Sequence, residues 1–260
     1  MPRLGLGLGS SLVESGSQRG GRGGPAFSNN YSVALDGTQD YVEIGDLSGL
    51  ESDGDLSFSL WARPTSVTGA QGLINVYTTF SGSVGEFYVS FSTTTVQYWI
   101  NGEAWKKLGT GLTVAVDTWY HIVATYKDID NAADATAAGT ATRLYINGTE
   151  YDAGAGTGTF PASGAISGSG LKTIIGGYYS SGYTLNGLID EVSIFNKVLS
   201  SGDVSDIYNS GTPTDISGMD GLTGYWRFEE GAGSSVADSS DNSNAGTLIN
   251  DSAFSSTVPS

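Results

Sequence analysis

The sequence predicts an all-β fold: a two-sheet antiparallel sandwich with one short helix and a Gly-rich N-terminal arm. Three observations predict it. Thirty-nine glycines and fourteen tyrosines among 260 residues, with charged residues at only 15 %, favour short strands joined by tight turns. Apolar residues alternate with polar ones in segment after segment, and few windows show a helical period. Hairpin signals punctuate these segments: Asp36-Gly37, Asn101-Gly102, Asn147-Gly148 and Asn186-Gly187.

Bulk properties set limits on function. A net charge of -16 argues against non-specific nucleic-acid binding, which depends on Lys and Arg neutralising phosphates. The same acidity suits Ca2+, a hard cation that prefers oxygen ligands. With no cysteine there is neither a disulfide framework nor thiol chemistry. No apolar run approaches the roughly 20 residues that span a bilayer, so no membrane partner is expected. The opening MPRLGLGLGSSLVESG lacks a continuous apolar core, and no signal peptide is read there.

The elements follow in order. Residues 1–28 carry Arg3, Arg19 and Arg22 against the single acid Glu14 in a Gly/Ser-rich background. Such a stretch cannot bury enough surface to fold alone. It is either a flexible tail or an arm that orders by docking, with Leu4, Leu6 and Leu8 as anchors, and it is assigned as an attachment arm. Residues 29–260 are assigned to one domain. Residues 31–44 (YSVALDGTQDYVEI) read as strand, turn, strand, and residues 56–64 (LSFSLWARP) as a core strand.

Residues 72–100 supply three more strands before the chain reverses into EAWKKL. Here Tyr98, Trp99 and Trp105, with Tyr88, are the candidate glycan-binding residues, since apolar sugar faces stack on rings. As half-buried sheet residues they would be equally at home. Residues 117–126 (DTWYHIVATY) form the most regular strand and place His121, the sole histidine, on a packed face. A polar surface insertion follows, then the hairpin RLYINGTEY, a loop over residues 152–170, and the strand LKTIIGGYY.

The stretch 186–211 (NGLIDEVSIFNKVLSSGDVSDIYNSG) organises the rest. Strict alternation puts Leu188, Asp190, Val192 and Ile194 on one face and Ile189, Glu191, Ser193 and Phe195 on the other. Asp190 is then out of place, because a buried carboxylate is costly unless paired, hydrogen-bonded or metal-bound. It is the leading metal candidate, with Asp36 and Asp40 as a second pair, although ordinary turn chemistry explains that pair as well. Asp203 is expected to cap a helix through Tyr208, and Gly211 to end it.

The run IDEVSIFN, together with LDGTQDYV, LSFSLWARP, WYHIVATY, LYINGTEY and IIGG, resembles the LamG-like, concanavalin A-type jelly rolls. The resemblance implies a jelly-roll sandwich, with Asp36, Asp40 and Asp190 as ligands of a structural Ca2+ and glycan binding as a common role. Residues 222–250 (LTGYWRFEEGAGSSVADSSDNSNAGTLIN) resemble the segment that ordinarily begins such a domain, yet here they come near the end of the sequence. Residues 222–260 are therefore expected to supply permuted strands, either to their own body or swapped to a neighbouring subunit through a flexible linker at 212–221.

No Cys-His or Ser-His-Asp arrangement can be assembled, and the E-x-D-x-x-E catalytic strand of the fold's glucanases is absent, so no enzymatic activity is expected. The absent export signal, the arm and the permuted segment together resemble virion proteins of marine tailed phages. The expected role is thus a non-enzymatic virion structural protein (capsid decoration, tail or fibre component) made in the host cytoplasm. Its expected partners are major capsid or tail proteins, other copies of itself and a cell-surface glycan. The alternative is a carbohydrate-binding adhesin or lectin module.

Overall fold

The computed structural model describes residues 27–47, 54–77, 87–93, 95–100, 105–109, 112–128, 141–151, 157–159, 172–177 and 183–260. In chain order the first strands are β1 (Ser32–Asp36), β2 (Tyr41–Asp46), β3 (Leu56–Pro64), β4 (Ala70–Tyr77), β5 (Phe87–Ser92) and β6 (Thr95–Ile100). Next come β7 (Trp105–Leu108), β8 (Tyr120–Tyr126), β9 (Leu144–Ile146), β10 (Thr149–Tyr151), β11 (Thr157–Gly158), β12 (Lys172–Ile175) and β13 (Asn186–Phe195). A helix, α1 (Ser201–Tyr208), precedes β14 (Leu222–Trp226), β15 (Ser235–Val236), β16 (Gly246–Ile249) and β17 (Ala253–Ser255).

These strands make two antiparallel sheets. The first runs β10-β9-β8-β3-β13-β1-β17, with β14 added alongside β13, and the second runs β11-β7-β6-β5-β4-β12-β2-β16-β15. Alternate residues fill the space between them. Phe58, Leu60, Ile122 and Ala124 come from the first sheet, and Ile74, Val76, Phe87, Val89, Tyr98 and Ile100 from the second. The fold is thus an all-β jelly-roll sandwich, and the alternation of its strands follows from burying one face of each sheet.

The central strand β13 departs from strict alternation. One of its edges pairs with β3, while the other is shared end to end by β1 and β14. Where those two meet, the register on β3 shifts between Asp190 and Ser193, and Glu191 adopts a left-handed φ of 47°. This is a β-bulge: the extra residue moves the side-chain phase by one. Ile189, Val192 and Ile194 consequently share the core, whereas Phe195 packs into a second cluster. The expectation that Asp190 shares a face with Val192 and Ile194 is therefore corrected.

Residues 222–260 complete both sheets of the same chain. β14 pairs with β13, β16 with β2, and β17 with β1. Trp226, Phe228, Val236 and Leu248 enter the common core. At the other terminus, the guanidinium of Arg227 lies 4.4 Å from the centroid of the Phe27 ring and donates to the Ser28 carbonyl. Residues 27 and 28 thus pack on the body, and the rest of the arm lies outside the described residues.

The helix cap also differs from expectation. Ser200 is the N-cap and Asp203 the third helical residue, and the two close a reciprocal capping box. Asn209, at φ 44°, ends the helix in the left-handed region, ahead of Gly211. Val204 and Ile207 of α1 pack with Val123, Tyr145, Phe195, Leu199, Ile216 and Tyr225 on the outside of the first sheet. Ile216 seats the 212–221 linker in that cluster, so the linker is pinned rather than loose. No helix among the described residues is long and apolar enough to cross a membrane.

Candidate functional site

The second sheet presents a cross-strand row on its outer face. Ile174 of β12 pairs with Asn75 of β4, Asn75 with Tyr88 of β5, and Tyr88 with Trp99 of β6. Their sequence neighbours Ile74, Val76, Phe87, Val89, Tyr98 and Ile100 belong to the core, so these four side chains project the other way. Tyr88 and Trp99 are half-buried, leaving ring surface at the solvent boundary. The Trp99 indole N–H donates to Gln97 Oε1 at 3.0 Å, which fixes the ring from two residues away on the same face.

The floor of this row is polar yet covered. Asn75 is 0 % exposed, and neither its side-chain nitrogen nor its side-chain oxygen has a hydrogen-bond partner among the described residues. Ser90, paired with Gln97 and Gly72, is also fully buried with an unpartnered hydroxyl. Tyr77 lies two residues beyond Asn75, and burial pushes its phenol up to about 12, with Glu43 adding to the shift. At Gly72 the chain is crossed closely: its N–H donates to the Tyr183 carbonyl at 2.8 Å, and a β-carbon there would collide with the Gly177 and Tyr183 carbonyls.

Of the candidate glycan residues, Trp99 lies on this face. Tyr98 does not: it is fully buried between the sheets, its ring centroid 6.5 Å from that of Phe87. The physical reason is alternation, which sends neighbouring residues of a strand to opposite faces. Trp105 pairs with Ile100 at the start of β7, and its side chain lies outside the described residues. Asn75 went unnoticed in the sequence. The available signal was an amide inside the apolar run GLINVY.

The candidate metal residues do not converge. Asp36 Oδ1 accepts the Thr38 N–H at 2.6 Å, and Asp40 accepts from the Asp36 and Asp251 amides at 3.1 and 3.0 Å. These bonds shape the β1–β2 turn and tie it to the β16–β17 turn. Asp190 lies four residues along β13 from Asn186, the partner of Asp36, a separation of roughly 13 Å along a strand. Among the described residues no three or more His, Cys, Asp or Glu side chains are grouped to hold a metal ion. The three aspartates thus do not fit one Ca2+ site.

Asp190 instead belongs to a buried polar cluster at the bulge. It accepts from Asn29 Nδ2 at 3.0 Å and from the Glu191 amide at 2.9 Å. Glu191 accepts from the Tyr225 hydroxyl and from Arg227 Nε, the latter at 3.3 Å. Burial drives the Asp190 carboxyl well above its ordinary range and pushes Glu191 up to about 7, with Tyr225 and Arg227 opposing the rise in Glu191. Nearby, His121 Nε2 and Ser59 Oγ are 2.8 Å apart, and the imidazole clusters with the rings of Trp61 and Tyr208, the three centroids lying 5.0 to 5.9 Å from one another. Complete burial brings His121 down to about 3.

Comparison with known proteins agrees with this architecture. The chain belongs to the concanavalin A-like lectin/glucanases superfamily, whose profile matches residues 36–205. No curated protein matches the chain. Among solved structures it is similar to a Bacteroides ovatus protein assigned to carbohydrate binding, with TM-score 0.61, 11 % identity and 90 % of this chain covered. The chain spans 62 % of that protein's length. It is also similar to the heptameric SAP-like pentraxin of Limulus polyphemus, with TM-score 0.62, 12 % identity and coverage of 89 % of this chain and 98 % of the pentraxin.

Proposed function

We propose that the chain is a non-catalytic carbohydrate-binding module that holds glycans on the outer face of its second sheet. The observation that carries the reading is the row Asn75–Tyr88–Trp99. Two half-buried rings stand beside a carboxamide whose hydrogen-bonding capacity the protein leaves unused. A sugar has the matching character, with an apolar C–H face for the rings and hydroxyl or amide groups for the polar floor. Membership of a superfamily named for lectins as well as glucanases supports this reading. Specific groups, rather than the fold itself, must supply the function.

The chemistry of the other polar groups also favours binding over catalysis. His121 is sealed from solvent and held neutral, so it is poorly placed to exchange protons with a substrate. Asp190 and Glu191 are occupied in anchoring the chain segments around the bulge. Nothing in the comparisons above supports the virion structural role suggested by the arm and the permuted order, and carbohydrate binding is the better-supported reading.

The test is a glycan array followed by titration calorimetry on the purified chain. The wild type is expected to retain a defined set of glycans, and Trp99→Ala to weaken them at least tenfold with an unchanged circular dichroism spectrum. Absence of any retained glycan, or full affinity in Trp99→Ala, overturns the reading.

A further inference from the structure

We infer that Asn75 makes this face selective for sugars that carry an acetamido group. The inference rests on the carbohydrate-binding reading and adds the class of ligand. A buried polar group is ordinarily hydrogen-bonded, and an orphaned one loses its full hydration without compensation. Asn75 is the strongest exception on this face, since both ends of its amide are unpartnered and it is 0 % exposed. A carboxamide offers one acceptor and two donor hydrogens in a plane. A second amide answers that pattern, its N–H to Asn75 Oδ1 and its C=O to Asn75 Nδ2.

The surroundings supply the remaining match. On one side Asn75 pairs with Ile174, an almost fully buried apolar side chain suited to the methyl of an acetyl group. On the other side stands Tyr88, followed by Trp99, one strand spacing of about 4.8 Å further on, to take the pyranose face. A plain hydroxyl would satisfy part of Asn75 but leave Ile174 facing a polar group. The acidic chain, at a net charge of -16, further favours an uncharged ligand over an anionic one. Because Asn75 is covered in the free protein, seating the acetamido group requires that cover to move.

The experiment compares N-acetylglucosamine trimer with glucose trimer by calorimetry, alongside an array holding N-acetylated and non-acetylated glycans. Wild type is expected to bind the N-acetylated trimer at least tenfold more tightly. Asn75→Leu, which fills the same space, is expected to lose that preference while keeping its melting temperature. Trp99→Ala should weaken both ligands together. Equal affinity for the two trimers, array ligands lacking acetamido groups, or a preference that survives in Asn75→Leu overturns the inference and leaves the carbohydrate-binding reading standing. A wild type that retains no glycan of either class overturns both.

Discussion

Asp190 and Glu191 are neighbours in one β-bulge, yet their carboxylates are held by opposite ends of the sequence. Asp190 accepts from Asn29, just ahead of β1, while Glu191 accepts from Tyr225 in β14 and Arg227 just past it. Glu229 completes the tie by accepting the backbone N–H groups of Asn30 and Tyr31 at 2.7 and 3.1 Å. The bulge therefore lies where the first and fourteenth strands abut along β13, and its extra residue turns both acids away from the core.

That arrangement predicts an unusual pH dependence. Burial raises Glu191 from 4.5 to about 7 in the folded chain. The stability its protonated form contributes is whole below the unfolded value and is lost as pH rises through about 7. Relative to Glu191→Gln, wild type should lose on the order of 3 kcal/mol between about pH 5 and about pH 8, as a shift of this size implies. Urea unfolding of both proteins at each pH checks it. A constant difference between them would refute the assignment.

His121 has the opposite sign. Its folded value, about 3, lies below its ordinary 6.5, so the unfolded chain takes up a proton first as pH falls. Stability is unaffected by this group above about pH 6.5 and erodes towards pH 3, by roughly 3 kcal/mol at about pH 4. His121→Gln should be less stable than wild type near pH 7.5, having lost ring contacts with Trp61 and Tyr208. The deficit should shrink or reverse near pH 4, as read from melting temperatures across the range.

The C-terminal strands should be indispensable. Trp226 is fully buried, and its indole N–H donates to the Asn244 carbonyl at 2.7 Å, stapling β14 to the loop before β16. Trp226→Ala should cost about 3–5 kcal/mol, the usual range for deleting a buried aromatic. A chain ending at Gly211 also exposes the edges of β13, β2 and β1, and it should be recovered only as aggregate. Recovery of a soluble, cooperatively melting truncation would contradict this account of the edges.

What the sequence disclosed, and what it concealed, follows from the range of each interaction. Alternation in LSFSLWARP and WYHIVATY is a local signal, and it placed β3 and β8 and the sandwich between them. Tyr98 and Trp99 illustrate the limit: the same alternation separates them, but which of the two faces inward depends on the partner sheet. The bulge at Asp190 was hidden because strict period-two reading carries no allowance for an inserted residue. The partners of Asp190 and Glu191 were equally out of reach, for Asn29 is 161 positions from Asp190 and Arg227 is 36 from Glu191.

Chelation tests the metal question directly. Asp36 and Asp40 already satisfy backbone amides, and Asp190 stands apart from them. Extensive dialysis against a chelator should therefore leave the melting temperature within about 1 °C of the Ca2+-loaded value, because a ligand that binds only the folded state raises apparent stability by mass action. An increase of several degrees on adding Ca2+ would show a site formed with other groups, such as backbone carbonyls.

Gly72→Ala probes how tightly the outer face of the second sheet is covered. Gly72 pairs with Ser90, and its absent side chain leaves space occupied by the Gly177 and Tyr183 carbonyls. Both obstacles are backbone, so no rotamer change relieves the collision. The substitution must push the crossing segment outward or break the Gly72-to-Tyr183 hydrogen bond. A loss of about 2 kcal/mol is expected, in line with overpacking of a closed site. Gly45→Ala in β2 is the control, since nothing lies within 4 Å of its added carbon. If the crossing segment helps to shape the glycan floor around Ser90, Gly72→Ala should also weaken glycan binding while Gly45→Ala leaves it intact. Equal stability and affinity in the two variants would show that the close approach at Gly72 contributes to neither.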